Sequence, residues 1–401
     1  MSGRAIDEGT LSLPWPTSRS RKRANADGLL LGVTLLLAFM GLVMVFSASA
    51  VMAGNRFHDS LFFLKRQMAW LALGFLVLHI VSRLDYTVWR KLALPILAVT
   101  AVLLILVLIP SLGLMIKGAR RWLPLGPISV QPAEIVKLAT VFYLAAFLAK
   151  GQDRVREFTS GLIPPLIVVG LLGGLILLQP DLGTVALIGL VAFGLLFLGG
   201  ARISHLAGLV LVVVPLAAAF VLRSSYRRQR LMTFLDPWED PSAAGFQVTQ
   251  SFLAFGNGGL FGVGLGEGKQ KLFFLPEAHT DFVLALVGEE LGLIGTATIM
   301  ALFGVLVFKG FQIAGRAREP FGRYLAMGIT LLIACQVLFN AGVATGLLPT
   351  KGLTLPFVSY GGSSVVMSLL GVGILLNISR DRQGGRQKAG SGRGHGGVGL
   401  L

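Results

Sequence analysis

About ten predominantly apolar stretches recur along this chain, each close to the ~20 residues that carry an α-helix across a ~30 Å hydrocarbon layer. They lie near 28–50, 67–82, 92–110, 133–149, 160–178, 182–199, 205–222, 282–308, 324–345 and 361–378, joined mostly by short connections. Inside a membrane every backbone N–H and C=O must find a partner within the protein, so such segments are helices. The expected fold is all-α: a polytopic membrane protein with about ten transmembrane helices. A large extracytoplasmic loop, 223–280, separates spans seven and eight. Composition agrees, with only 13% charged residues against about 25% in soluble domains.

The charge of +16 raises a nucleic-acid reading, which the placement of the basic residues excludes. With the N-terminus in the cytoplasm, the tails and the loops 83–91, 150–158, 200–204 and 309–323 hold 21 of the 35 lysines and arginines, as the positive-inside rule requires. An even span count returns the C-terminus to the same side. The tails 1–27 and 379–401 are rich in Gly, Ser, Arg and Lys and are expected to be disordered, leaving 28–378 as the membrane domain. The first span is longer than a signal-peptide core and is expected to be retained. The single Cys335 precludes an intrachain disulfide and a cysteine-built zinc site. Thirteen basic residues fall outside, several in groups: Arg120 with Arg121; Arg223, Arg227, Arg228 and Arg230; Lys269 with Lys271. Orientation alone does not account for these groups.

Within the long loop, 226–237 mixes basic and aromatic residues as a short interfacial helix would, and 247–255 is weakly amphipathic. The glycine tract that follows, from Gly256 to Lys269, is not a nucleotide loop. Val263 stands where the first Walker glycine belongs, and Gln270 follows the lysine. Its glycines are read as supplying turn conformations that fold the loop across the bundle mouth.

Charged groups at membrane depth are expensive and mark candidate sites. In Gln131-Pro-Ala-Glu-Ile-Val-Lys, Pro132 suits a first helical turn, and Glu134 and Lys137 share a face. They form either a structural ion pair or the border of a polar cavity. Asp181, in Gln179-Pro-Asp-Leu-Gly-Thr, is placed to cap the next helix. Arg120 and Arg121 beside Trp122 suit phosphate or carboxylate recognition. Asp281 follows His279 and Thr280 at the mouth of the eighth span, where water and a polar substrate can reach it. Glu289, eight residues on, is offset by about 12 Å and about 80° on a helix, too far for the ~5 Å carboxylate pair of a retaining glycosidase. One base acting alone fits better. Between the last two spans, prolines, glycines and hydroxyls around Lys351 and Ser359 suggest a re-entrant polar loop. The five histidines are scattered, and no metal cluster is expected.

Taken together, Gly118-Ala-Arg-Arg-Trp, Gln131-Pro-Ala-Glu with Lys137, Gln179-Pro-Asp-Leu-Gly-Thr, Pro276-Glu-Ala-His-Thr-Asp-Phe and Leu348-Pro-Thr-Lys-Gly through Ser364 resemble the SEDS (shape, elongation, division and sporulation) family of bacterial cell-wall proteins, most closely its division branch. The resemblance spans Gly28 to about Asn377. It implies a peptidoglycan glycosyltransferase that polymerises lipid II into β-1,4 glycan strands at the outer face of the cytoplasmic membrane, at the division septum. It puts the essential acid on Asp281 and the cavity ion pair on Glu134 and Lys137. Gln131, Gln179, Asp181, His279, Thr280, Glu289, Lys351 and Ser359, with Arg120 and Arg121, are then candidate substrate contacts. No metal ligand is assigned, although a divalent cation, Mg or Mn, could accompany the lipid diphosphate. The implied partners are lipid II and the nascent strand, a cognate class B penicillin-binding protein of the FtsI type, the divisome proteins FtsQ, FtsL and FtsB, and membrane lipids. A lipid II flippase and a noncatalytic divisome scaffold are the alternatives. Candidate residues crowded toward one face, beneath a loop resembling a lid, favour the enzyme.

Overall fold

A computed structural model describes residues 27–391 except 117, 127, 240–244 and 273. Residues 1–26 of the expected tail 1–27, and the last ten residues of the C-terminal one, lie outside the described residues. Helices α1 (Gly28–Phe57), α2 (Phe62–Val81) and α3 (Thr87–Leu108) come first. Three short strands follow: β1 (Leu114–Ile116), β2 (Ala119–Leu125) and β3 (Ile128–Val130). Next come α4 (Pro132–Leu148), a single turn α5 (Gln152–Val155), a π-turn leading into α6 (Ile163–Leu177), α7 (Leu182–Leu198) and α8 (Ile203–Leu222). The long loop contributes α9 (Ser225–Leu235) and α10 (Phe246–Gly258), and α11 (Val283–Arg316), α12 (Pro320–Ala344) and α13 (Gly362–Ser391) complete the chain. Among the described residues eight helices, one of them α6 together with its π-turn, are long and apolar enough to cross a membrane. At 17 residues, α4 and α7 are near the minimum for a span, and both pack on α12.

Local chemistry sets the helix ends. The Asp27 carboxylate accepts from Leu30 N at the start of α1, Asp181 does so from Thr184 N for α7, and Pro132 and Pro320 open α4 and α12 where no amide hydrogen is missed. The core lies around α12, which packs against α4, α7, α11 and α13. By contrast α8 touches little besides α7 and α9 and is almost wholly exposed.

Three features depart from the expected pattern. The segment around Trp122 is an antiparallel sheet of order β1-β2-β3; β1 and β3 have three residues each, and the seven of β2, Ala-Arg-Arg-Trp-Leu-Pro-Leu, do not alternate. The final helix continues to Ser391, past the expected boundary at 378. The eighth span is two helices, because Gly292 sits at φ +67° and interrupts α11. The glycine tract supplies the partners this break requires. Val263 N and Gly264 N donate to the carbonyls of Glu289 and Glu290, while Leu293 N and Ile294 N donate to Gly259 O and Leu260 O. Contact is backbone to backbone: a Cβ on Gly258 or Gly262 would overlap the carbonyl of Gly288 or Glu290. The tract is therefore bound to the break in α11.

Candidate active site

The outer turns of α4, α12 and α13 and the segment 345–361 meet at one end of the bundle, hereafter the site end. That segment is re-entrant, as its composition suggested. Leu353, Leu355, Phe357 and Val358 are buried, and Phe357 stacks on Phe303 of α11. Two side chains of α12 hold it in place. Asn340 Nδ2 donates to Leu353 O at 2.8 Å and to Asp281 O at 2.9 Å. Gln336 Nε2 donates to Thr354 O at 2.9 Å, while its Oε1 accepts from Lys137 Nζ at 3.2 Å.

Lys137 Nζ also lies 2.7 Å from Glu134 Oε2, and both side chains are buried. The pair borders a cavity of about 20 Å³ that Gln336, Ile333, Ser368 and Gly371 also line, room for about one water molecule. It is a buried ion pair at the edge of a small cavity whose other walls are mostly apolar. Through Gln336 and Asn340 it connects to the loop on which Asp281 rests.

Asp281 is partly exposed and packs against Gly352. A Cβ added there would stand 2.9 Å from Asp281 Oδ2, so a residue with a side chain at 352 would displace the carboxylate. Next to Gly352, Lys351 gathers the external cations. Burial lowers its ammonium pKa to about 8; the nearby charges of Arg230, Arg121 and Arg227 push the same way and Asp181 opposes them. Arg121 is held by Nε to Gln179 O at 2.9 Å and Nη2 to Pro180 O at 2.6 Å, and Arg230 reaches Thr350 O. The Asp281 carboxylate therefore contacts the residue that follows Lys351, the lysine on which the charges of Arg230, Arg121 and Arg227 act. Such an arrangement can take a proton from a hydroxyl and stabilise a developing phosphate charge beside it.

The remaining candidates sort by position. Asp181 caps α7 with both oxygens, accepting from Thr184 N and Oγ1, and still faces Lys351. Gln179 Nε2 donates to Leu104 O, and Gln131 N to Ser363 Oγ; these two order the rim. Ser359 Oγ accepts from Leu355 N and donates to Thr280 O. Thr280 Oγ1 donates to Glu277. The His279 ring lies between Phe63 and Tyr360. Arg120 pairs with Met115, whereas Arg121 is the extra residue where the β1–β2 register shifts, and only Arg121 of the two is among the charges that act on Lys351. Glu289 is buried, and its oxygens accept from Lys269 N and Gln270 N. It anchors the loop and is not presented to a substrate, because the broken helix turns it toward the glycine tract.

Gln336, Asn340 and Gly352 are absent from the sequence-based candidates. Two polar residues four apart in an apolar span are a readable signal for the first two. The close approach that requires glycine at 352 leaves none.

The family model described as cell cycle protein, covering FtsW, RodA and SpoVE, matches residues 27–384. The chain is 49% identical over 358 residues to a probable peptidoglycan glycosyltransferase FtsW of Geobacter metallireducens, covering 89% of this chain and 96% of that one. It is 45% identical over 359 residues to stage V sporulation protein E of Bacillus subtilis, covering 90% and 98%. Among solved structures, a chain from work on the structural coordination of polymerization and crosslinking by a peptidoglycan synthase complex superposes with a TM-score of 0.74. It is 31% identical, and the match covers 89% of this chain and 98% of that one. The rod shape determining protein RodA of Thermus thermophilus gives 0.67 at 30% identity, covering 89% and 97%.

Proposed function

The chain belongs to the FtsW, RodA and SpoVE family of cell cycle proteins, and from that premise we propose that it is a multi-pass membrane peptidoglycan glycosyltransferase whose general base is Asp281. The observation that carries the assignment is the Asp281 carboxylate packed on Gly352, one residue along the chain from Lys351, whose ammonium feels the charges of Arg230, Arg121, Arg227 and Asp181.

The reaction joins two lipid-linked saccharides, here lipid II and the growing strand. The acceptor's 4-hydroxyl oxygen attacks the donor's anomeric carbon, its proton passes to Asp281, and the bond from that carbon to the lipid diphosphate breaks. The α-linked donor inverts to a β-1,4 linkage. Base catalysis of this kind contributes about 10²–10⁴-fold. Lys351, Arg121 and Arg230 face the departing diphosphate and stabilise its charge. Glu134 and Lys137 act from behind, through Gln336. Among the described residues no three His, Cys, Asp or Glu gather as a metal site, so a protein-caged ion fits poorly. In this reading a Mg or Mn ion comes only with the diphosphate, and no step depends on it.

Basic loops put the site end outside the cytoplasmic membrane, with both termini inside, and kinship with division proteins supports the septum as the place of work. The partners in this reading are a class B penicillin-binding protein, which crosslinks the strands, and FtsQ, FtsL and FtsB. The test uses the purified chain with its cognate transpeptidase, given lipid II from outside. Glycan chains are expected from the wild type and none from Asp281→Asn of equal folded yield. Polymer at the wild-type rate from that variant rules out Asp281 as the base, and movement of lipid II without polymer identifies a flippase.

A further inference from the structure

The glycine tract carries a ridge that catalysis does not explain. Leu260, Phe261, Val263 and Leu265 are 60, 80, 44 and 56% exposed, beside Leu293 and Ile294 of α11, which are also exposed. Large apolar side chains grouped on an irregular loop are costly in water.

The level of this ridge follows from helix rise. Lys309 of α11 pairs with Asp27 at the start of α1, marking the end of the bundle opposite the site. From Lys309 to Gly292 is about 25 Å of helix, and from Asp27 to Ser47 about 30 Å, at ~1.5 Å per residue. Helix tilt only lowers these heights. With a hydrocarbon layer of ~30 Å, the break in α11 and the ridge beside it fall within the upper edge of that layer.

The polar groups of the tract are arranged accordingly. Irregular backbone survives at that depth only when its N–H and C=O groups are satisfied by protein, and the two ends of the broken helix satisfy four of them. The charges behind the ridge are buried and paired. Lys271 Nζ lies 2.8 Å from Glu290 Oε1, Ser47 donates to Glu290, Gly266 N donates to Glu290 Oε2, and Glu289 takes the amides of Lys269 and Gln270. Glu267 and Lys269, which are exposed, stand where the chain turns back toward water.

We infer that residues 259–265 form a finger inserted into the site-side lipid leaflet, with Leu260, Phe261, Val263 and Leu265 among the acyl chains. Its irregular backbone is supported by the interrupted α11, and Glu289, Glu290, Lys271 and Ser47 latch its far side. The finger fixes the long loop to the membrane beside α1 and α11. This does not depend on the reaction assigned to the site.

Because Cys335 is the only cysteine, single spin labels are readily placed on a Cys335→Ala background. Labels go on Phe261→Cys and, separately, Leu265→Cys, both exposed sites whose replacement empties no core. Phe39→Cys, on the exposed face of α1 about 18 Å above Asp27, is the lipid reference. Arg56→Cys, about 43 Å above it, is the aqueous one. In phospholipid vesicles, collision of the Phe261 and Leu265 labels with oxygen should match Phe39, and collision with a soluble nickel chelate should be several-fold weaker than at Arg56. Nickel accessibility equal to that at Arg56 for both labels overturns the inference.

Discussion

Removing the Asn340 amide tests the connection between the ion pair and the base most directly. Its Nδ2 joins two carbonyls, Asp281 O and Leu353 O, from a side chain that is 1% exposed. Only a group with two N–H donors on one atom can satisfy both. In Asn340→Ala both carbonyls lose that donor, and an unsatisfied buried group costs about 1–3 kcal/mol, or about 2–6 kcal/mol for the two. Asn340→Asp preserves shape but faces a carboxylate toward both carbonyls, so it should be at least as costly. The same bonds set where Asp281 sits relative to the Lys351–Gly352 segment. Misplacement by about 1 Å can cost about 10²-fold in rate. Thermal unfolding and lipid II polymerisation per folded molecule, both in complex with the transpeptidase, read the two effects. Asn340→Ala should melt earlier and lose about 10–100-fold in kcat with a smaller change in KM. Wild-type melting together with wild-type kcat in both variants would mean that Asn340 does not hold Asp281 in place.

Gly352→Ala puts a methyl 2.9 Å from Asp281 Oδ2. It should lower kcat at least tenfold while leaving the melting temperature within a few degrees, a contrast that enzyme assay and calorimetry can check. Lys137→Met leaves Glu134 buried and unpaired, costing about 3–5 kcal/mol; adding Glu134→Gln should recover most of the lost thermal stability but not the activity. Lys351 is held at about 8 against an ordinary 10.5, so between those values the unfolded chain binds more protons than the folded one. Stability of the ligand-free protein should therefore rise with pH across that window. Activity should fall above pH about 8 as the ammonium is lost, and Lys351→Arg should move that fall upward; a pH–rate profile identical in both proteins excludes the role. Gly292→Ala combines a φ of +67° with a Cβ 2.4 Å from Gly262 N and should release the glycine tract, visible as faster amide exchange across 259–264.

Hydropathy and charge are properties of single segments, and whatever depends on them alone was legible in the sequence. That includes the apolar spans, the helices at 225–235 and 246–258 in the long loop, the Asp181 cap, the Glu134–Lys137 pairing three residues apart, and Asp281 at the mouth of its helix. What stayed hidden depends on contacts between distant parts of the chain. The break at Gly292 looks like any glycine in an apolar run until the tract 30 residues earlier supplies its partners. Glu289 reads as a free intramembrane acid until the same tract occupies it. Arg121, but not Arg120, acts on Lys351, and it is held there by the carbonyls of Gln179 and Pro180, far away in the sequence. Local composition is enough to say which segments suit a membrane and which few polar residues they carry. Only the packed bundle decided which of those residues meet, because a buried hydrogen bond or ion pair forms between elements whose approach no local pattern encodes.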